Sequence, residues 1–103
     1  MSASSTSILV IDVGTSGLRA AVVRPDASIH ALHYAPFVPD SPFPGLVEFD
    51  AAALARLTLD VTRAALDEAG PVGAVGIANQ RASTIVWERS TGRPVGPALG
   101  WQD

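Results

Sequence analysis

The chain has 103 residues, 48% of them hydrophobic, and 7 Lys+Arg against 10 Asp+Glu leave a formal net charge of −3. That length holds one domain at most, with enough apolar surface for a core, so a disordered chain is excluded as the starting assumption. The basic residues are scattered, which excludes a nucleic-acid backbone as partner, and the absence of cysteine excludes disulfides and thiolate metal sites. Met1-Ser2-Ala3-Ser4-Ser5-Thr6-Ser7 lacks the positive start of a signal peptide, and Asp12 breaks the apolar run that follows. No stretch approaches the ~20 apolar residues of a membrane span. The expectation is a cytoplasmic protein without a membrane partner, with residues 1–7 as a disordered tip.

Residues 7–13, rich in Ile and Val, predict a central strand buried on both faces. Residues 17–24 predict a second strand, close enough to the first to form a hairpin. Pro25-Asp26-Ala27-Ser28 is a turn with φ preset by Pro. Residues 29–35 then predict a third strand of a meander, with Ile29, Ala31 and His33 on one face. His30 and His33, three apart in that strand, are expected on opposite faces, which argues against a joint metal site. Four prolines at positions 36, 39, 42 and 44 mark a loop, and Leu46-Val47-Glu48-Phe49 a short extended piece.

Asp50 is suited to cap a helix over residues 51–69, although Ala53 stands where a capping box would have Glu. Leu54, Leu57, Val61 and Ala65 form its apolar stripe, widened by Leu59, Thr62 and Leu66. Arg56, Asp60, Arg63 and Asp67 form a ridge on the opposite arc, read as a solvated face. Gly70-Pro71 stops the helix. Residues 72–78 predict a buried strand parallel to an earlier one, residues 83–87 a further strand with Trp87 in the core, and residues 91–94 a turn.

Asp12-Val13-Gly14-Thr15-Ser16, at the end of the first apolar run, carries the chemistry. Glycine permits close backbone approach, the hydroxyls and N–H groups can donate to phosphate, and an Asp can hold hydrated Mg²⁺. Arg19 adds a fixed positive charge nearby. Taken alone, the same residues also suit an ordinary β-hairpin with a Gly turn. Asn79 and Gln80, at the end of a strand, suit either turn formation or the support of residues that touch a ligand.

Further motifs follow in order: Pro44-Gly45-Leu46-Val47-Glu48, the run Gly76-Ile77-Ala78-Asn79-Gln80-Arg81 with Ala82-Ser83-Thr84, then Trp87, Thr91-Gly92-Arg93-Pro94 and Gly100-Trp101-Gln102-Asp103. Together with the Asp-x-Gly-Thr-Ser turn, their order and spacing resemble the N-terminal part of the FGGY family of carbohydrate kinases, glycerol kinase most among its subfamilies. The resemblance implies an α/β fold of the ribonuclease-H-like (actin-like ATPase) type, a three-strand meander, a helix and further strands, with residues 8–103 as a partial N-terminal domain. It implies ATP and Mg²⁺ as cofactors and a sugar or polyol as substrate.

By the same resemblance, Thr15 and Ser16 contact nucleotide phosphates, Gly17 offers backbone at a third such position, and Gly14 belongs to the same turn. Arg19 is a basic residue of the phosphate site and Asp12 helps hold Mg²⁺. Arg81 bonds substrate hydroxyls, and Trp101 packs on the carbon skeleton of the polyol. Glycerol kinase has Glu directly after that arginine; here Ala82 offers no side-chain acceptor, which implies a polyol or sugar other than glycerol. The family's catalytic base lies far downstream, so no catalytic residue is expected in this chain and the chain alone is expected to be inactive. The alternative is a truncated, non-catalytic binding module whose incomplete sheet invites homo-oligomers through an unfilled edge.

Overall fold

A computed structural model describes residues 6–80 and 83–100. Chain order is β1 (Ile8–Val13), β2 (Gly17–Val23), β3 (Ile29–Pro36), β4 (Glu48–Phe49), α1 (Ala51–Ala69), β5 (Ala74–Asn79) and β6 (Ala98–Leu99). The main sheet has the order β3-β2-β1-β5. Short turns make β1–β2 and β2–β3 antiparallel hairpins, whereas the long connection through α1 returns β5 parallel to β1. The mixed sheet with one helix agrees with the α/β class that the sequence implies.

Period-2 alternation sends Leu9 and Ile11 of β1, and Leu18, Ala20 and Val22 of β2, to the face beneath α1, where Val61 and Ala65 complete the core. Leu18, Ala20, Val22 and Ala65 are wholly inaccessible to solvent. Burying each larger aliphatic side chain contributes about 1.5–3 kcal/mol, so this patch holds helix to sheet. The helix has the expected bounds. Asp50 Oδ1 accepts from the Ala53 N–H at 3.0 Å, and the Gly70 N–H donates to the Leu66 carbonyl at 2.8 Å with φ of 86°. Arg56, Asp60, Arg63 and Asp67 are exposed, as the ridge reading required. Leu54, Leu57 and Leu66 pack against the core.

Four expectations need correction. Leu59 does not widen the apolar stripe; it is exposed, because two helical steps turn it about 200° from Val61. In β3, a bulge at Ala31, whose φ is 53°, shifts the register between Ala20 and Val22. His30 therefore stands opposite Val22 and His33 opposite Ala20, on one face of the sheet and not on two, while Ile29 is left exposed. They still go separate ways: His33 Nε2 lies 3.3 Å from Glu68 of α1, and His30 Nε2 lies 3.0 Å from Ser28 Oγ.

The third correction concerns residues 72–78. The strand forms, as β5, and is parallel as expected, but Val75 and Ile77 are 56% and 69% exposed because α1 lies over β2 and β3 and leaves the β5 edge uncovered. The fourth concerns residues 83–87, which form no strand and make only single bridges, Thr84 to Leu99 and Trp87 to Pro94. Trp87 is exposed, not core. This segment turns back through Gly92, at φ 74°, with Glu88 and Arg93 hydrogen-bonded at 2.8 Å. Its return strand, β6, pairs antiparallel with β4 in a separate two-stranded sheet. Phe49 of β4 meets Phe37 edge-to-face at 6.0 Å and so ties the small sheet to the end of β3. Among the described residues, no helix is long and apolar enough to cross a membrane. Residues 1–5 of the N-terminal tip lie outside the described residues.

Candidate phosphate-binding turn

The β1–β2 connection is tight. Asp12 pairs with Arg19 and Val13 with Leu18 across the hairpin, and the Gly14 N–H donates to the Gly17 carbonyl at 2.9 Å. That leaves Thr15 and Ser16 at the tip, with the Ser16 carbonyl accepting from the Phe37 N–H at 2.9 Å just beyond β3. No hydrogen bond of the Thr15 or Ser16 N–H is found among the described residues. Asp12, Gly14, Thr15, Ser16, Gly17 and Arg19 are thus gathered at one end of one hairpin.

Asp12 and Arg19 face away from α1, since their neighbours Ile11, Leu18 and Ala20 take the core side. Asp12 Oδ2 lies 3.8 Å from an Arg19 guanidinium nitrogen, with both side chains about half exposed (49% and 54%). At that exposure the pair stabilises the fold by less than about 1 kcal/mol, so neither charge is bound to the other in a way that prevents it from meeting a ligand. Arg19 Cζ also stands 5.0 Å from the centroid of the Tyr34 ring, on the neighbouring strand β3. Tyr34 in turn explains Gly17: a Cβ there would lie 2.6 Å from two of the ring carbons. Glycine at this position makes room for the aromatic ring on which the arginine rests.

Whether a magnesium ion suits this place turns on the donors. Among the described residues no three of His, Cys, Asp or Glu gather to form a cage. Mg²⁺ bound with phosphates needs only one or two carboxylates, the rest of its shell coming from water and phosphate oxygens. Asp12, half exposed beside the turn, meets that requirement.

Sequence reasoning did not single out Tyr34, whose role depends on cross-strand register. It left Gln80 between two roles; the structure places its Nε2 3.2 Å from the Gly14 carbonyl, so it supports the turn. Arg81, Ala82 and Trp101, the positions expected to govern substrate binding, lie outside the described residues. A separate cleft of about 500 Å³ is lined by Asp40, Glu48, Phe49, Asp50 and residues 94–97, and shares no residue with the turn.

Comparison with known proteins shows the family to which this fold belongs. The chain is 48% identical over 100 residues to the glycerol kinase of Methylobacterium nodulans, covering 93% of this chain and 20% of that protein. It is 45% identical over 94 residues to an uncharacterized sugar kinase of Archaeoglobus fulgidus, covering 91% and 19%. The chain therefore spans about a fifth of the length of these curated relatives. Its structure superposes on xylulose kinase from Rhodospirillum rubrum with a TM-score of 0.86 at 22% identity. It also superposes on Plasmodium falciparum glycerol kinase with ADP, with a TM-score of 0.80 at 26% identity. Each superposition covers 94% of this chain and 20% of the other. Residues 7–103 match the N-terminal domain of the FGGY family of carbohydrate kinases, and the chain belongs to that family.

Proposed function

We propose that this segment supplies the phosphate-binding wall, and part of the acceptor-binding wall, of an ATP-dependent kinase acting on a sugar or polyol hydroxyl. The observation that carries the reading is the convergence of Asp12, Arg19 and the Gly14–Gly17 turn, with two N–H groups that have no partner among the described residues, at the open end of one hairpin. Phosphoryl transfer asks the protein chiefly for positioning and for stabilisation of spread negative charge. The Thr15 and Ser16 hydroxyls and N–H groups donate to phosphate oxygens, and Arg19, steadied by Tyr34, supplies a fixed positive charge. Asp12 is the residue that would hold Mg²⁺, which when bound neutralises charge on the phosphates. Arg81 donates a planar fork to acceptor hydroxyls and Trp101 covers the carbon chain. Ala82 leaves one hydroxyl of glycerol without a partner, so the acceptor is a different polyol or a sugar. Use of ATP and the cysteine-free composition fit the cytoplasm.

The proton of the attacking hydroxyl needs a base, and the family resemblance puts that base outside these residues. Purified 103-residue protein should therefore show no acceptor-dependent ADP release in a coupled assay, while Mg-ADP binding should weaken on Arg19→Ala. Acceptor-dependent turnover by the isolated chain, or Mg-ADP binding indifferent to Arg19, would refute this function.

A second reading, a non-catalytic module that self-associates, is favoured by one observation. Among the described residues β5 pairs on one side only, and its run Ala74–Asn79 has Val75 and Ile77 exposed and no charge to guard the edge. Sedimentation would separate the two: a concentration-dependent dimer abolished by Val75→Lys supports association, and a monomer at all concentrations excludes it.

A further inference from the structure

The shape of the phosphate turn depends on a residue 66 positions away. In the parallel register Asn79 lies beside Val13, so Gln80 emerges from β5 alongside Gly14. Its Nε2 donates to the Gly14 carbonyl at 3.2 Å, and its Oε1 accepts from Ser83 Oγ at 2.8 Å. Both ends of this amide are therefore engaged, and its orientation is set by the hydroxyl on one side and the carbonyl on the other.

In a trans peptide the carbonyl and the following N–H point in opposite directions. Holding the Gly14 carbonyl toward Gln80 thus directs the Thr15 N–H away from β5, and that N–H has no partner among the described residues. The Ser16 carbonyl is held from the opposite flank by Phe37. Two of the peptide planes in the turn are thereby fixed before any ligand arrives, one by a side chain and one by backbone. Preorganised N–H donors bind an anion without the cost of reorienting when it arrives.

We propose that Gln80 is a positioning residue for the phosphate turn: it fixes the Gly14–Thr15 peptide plane so that the Thr15 N–H faces the phosphates. This inference rests on the phosphate-binding role proposed above for the turn.

The first test is NMR on the 103-residue chain titrated with Mg-pyrophosphate. Binding should shift the Thr15 amide resonance in the wild type. Gln80→Met keeps the side-chain length without donor or acceptor, and should raise the concentration needed by about tenfold, the usual effect of losing one such hydrogen bond. Gln80→Glu keeps the acceptor for Ser83 but turns an oxygen against the Gly14 carbonyl, and should do at least as much harm. Ser83→Ala should weaken binding and Ser83→Thr, which retains the hydroxyl, should restore it.

The second test is kinetic, in a hybrid in which this segment replaces the matching fifth of the M. nodulans glycerol kinase. Gln80→Met should raise the KM for ATP by about tenfold and leave the acceptor KM within about twofold. Equal rises in both KM values accompanied by a lower Tm would mean that Gln80 is merely structural and would overturn the inference. So would pyrophosphate binding that Gln80→Met leaves unchanged. A wild-type Thr15 amide indifferent to pyrophosphate overturns the phosphate-binding role itself, which distinguishes that failure from failure of the brace alone.

Discussion

Replacing Gly17 by alanine tests the link between the turn, the aromatic ring and the arginine. The new Cβ would sit 2.6 Å from Tyr34 Cε1 and Cζ, closer than any real Cβ contact, so the ring has to swing off. Tyr34 is half exposed and can do so. The loss is its contact with Arg19, now 5.0 Å from the ring centroid, about 0.5–1 kcal/mol at an exposed site. Against it stands the reduced freedom of the unfolded chain, about 0.4–1 kcal/mol in favour of alanine, because Gly17 does not adopt positive φ. The two terms nearly cancel, so chemical denaturation should give a stability within about 1 kcal/mol of the wild type. Function should not cancel: with Arg19 released from its ring, Mg-ADP affinity should fall about two- to fivefold by the same energy. Tyr34→Leu should have the same effect on affinity, and the double variant should be no worse than either single one. Additive losses in calorimetric titrations would refute the argument, because Gly17 and Tyr34 would then act separately; so would destabilisation by several kcal/mol.

Three other substitutions follow from the structure and the family. Thr62 Oγ1 is buried without a hydrogen-bond partner among the described residues, so Thr62→Val, nearly identical in shape, should stabilise the chain by about 1 kcal/mol in urea unfolding; destabilisation would show that the hydroxyl is satisfied. In a full kinase context, Arg81→Ala should lower acceptor kcat/KM about 10- to 150-fold. Ala82→Glu should improve glycerol as acceptor, and efficient glycerol turnover without that change would contradict the substrate argument.

Much of the architecture is legible in local sequence because local forces specify it. The helix bounds follow from Asp50 and Gly70, which satisfy backbone groups at the two ends with no help from elsewhere. The β1–β2 hairpin follows from two apolar runs separated by a short Gly-bearing turn, and the parallel return of β5 follows from the helix between. The tight turn that joins β1 to β2, for which a phosphate-binding role is proposed, is local for the same reason, since Asp12, Gly14, Thr15 and Ser16 stand within a few residues of one another.

What only the tertiary structure decided depends on register and on coverage. A bulge at Ala31 moved His30 and His33 to one face, and no composition rule reveals one extra residue in a strand. Val75 and Ile77 have the pattern of a buried strand, and Trp87 the composition of a core residue, yet exposure depends on which neighbours lie over them, and α1 covers β2 and β3 instead. Tyr34 reaches Gly17 and Arg19, and Gln80 reaches Gly14, only because strands distant in sequence lie side by side. A residue's type and its near neighbours set its local geometry, whereas its partners across a sheet are set by backbone pairing summed over the whole strand.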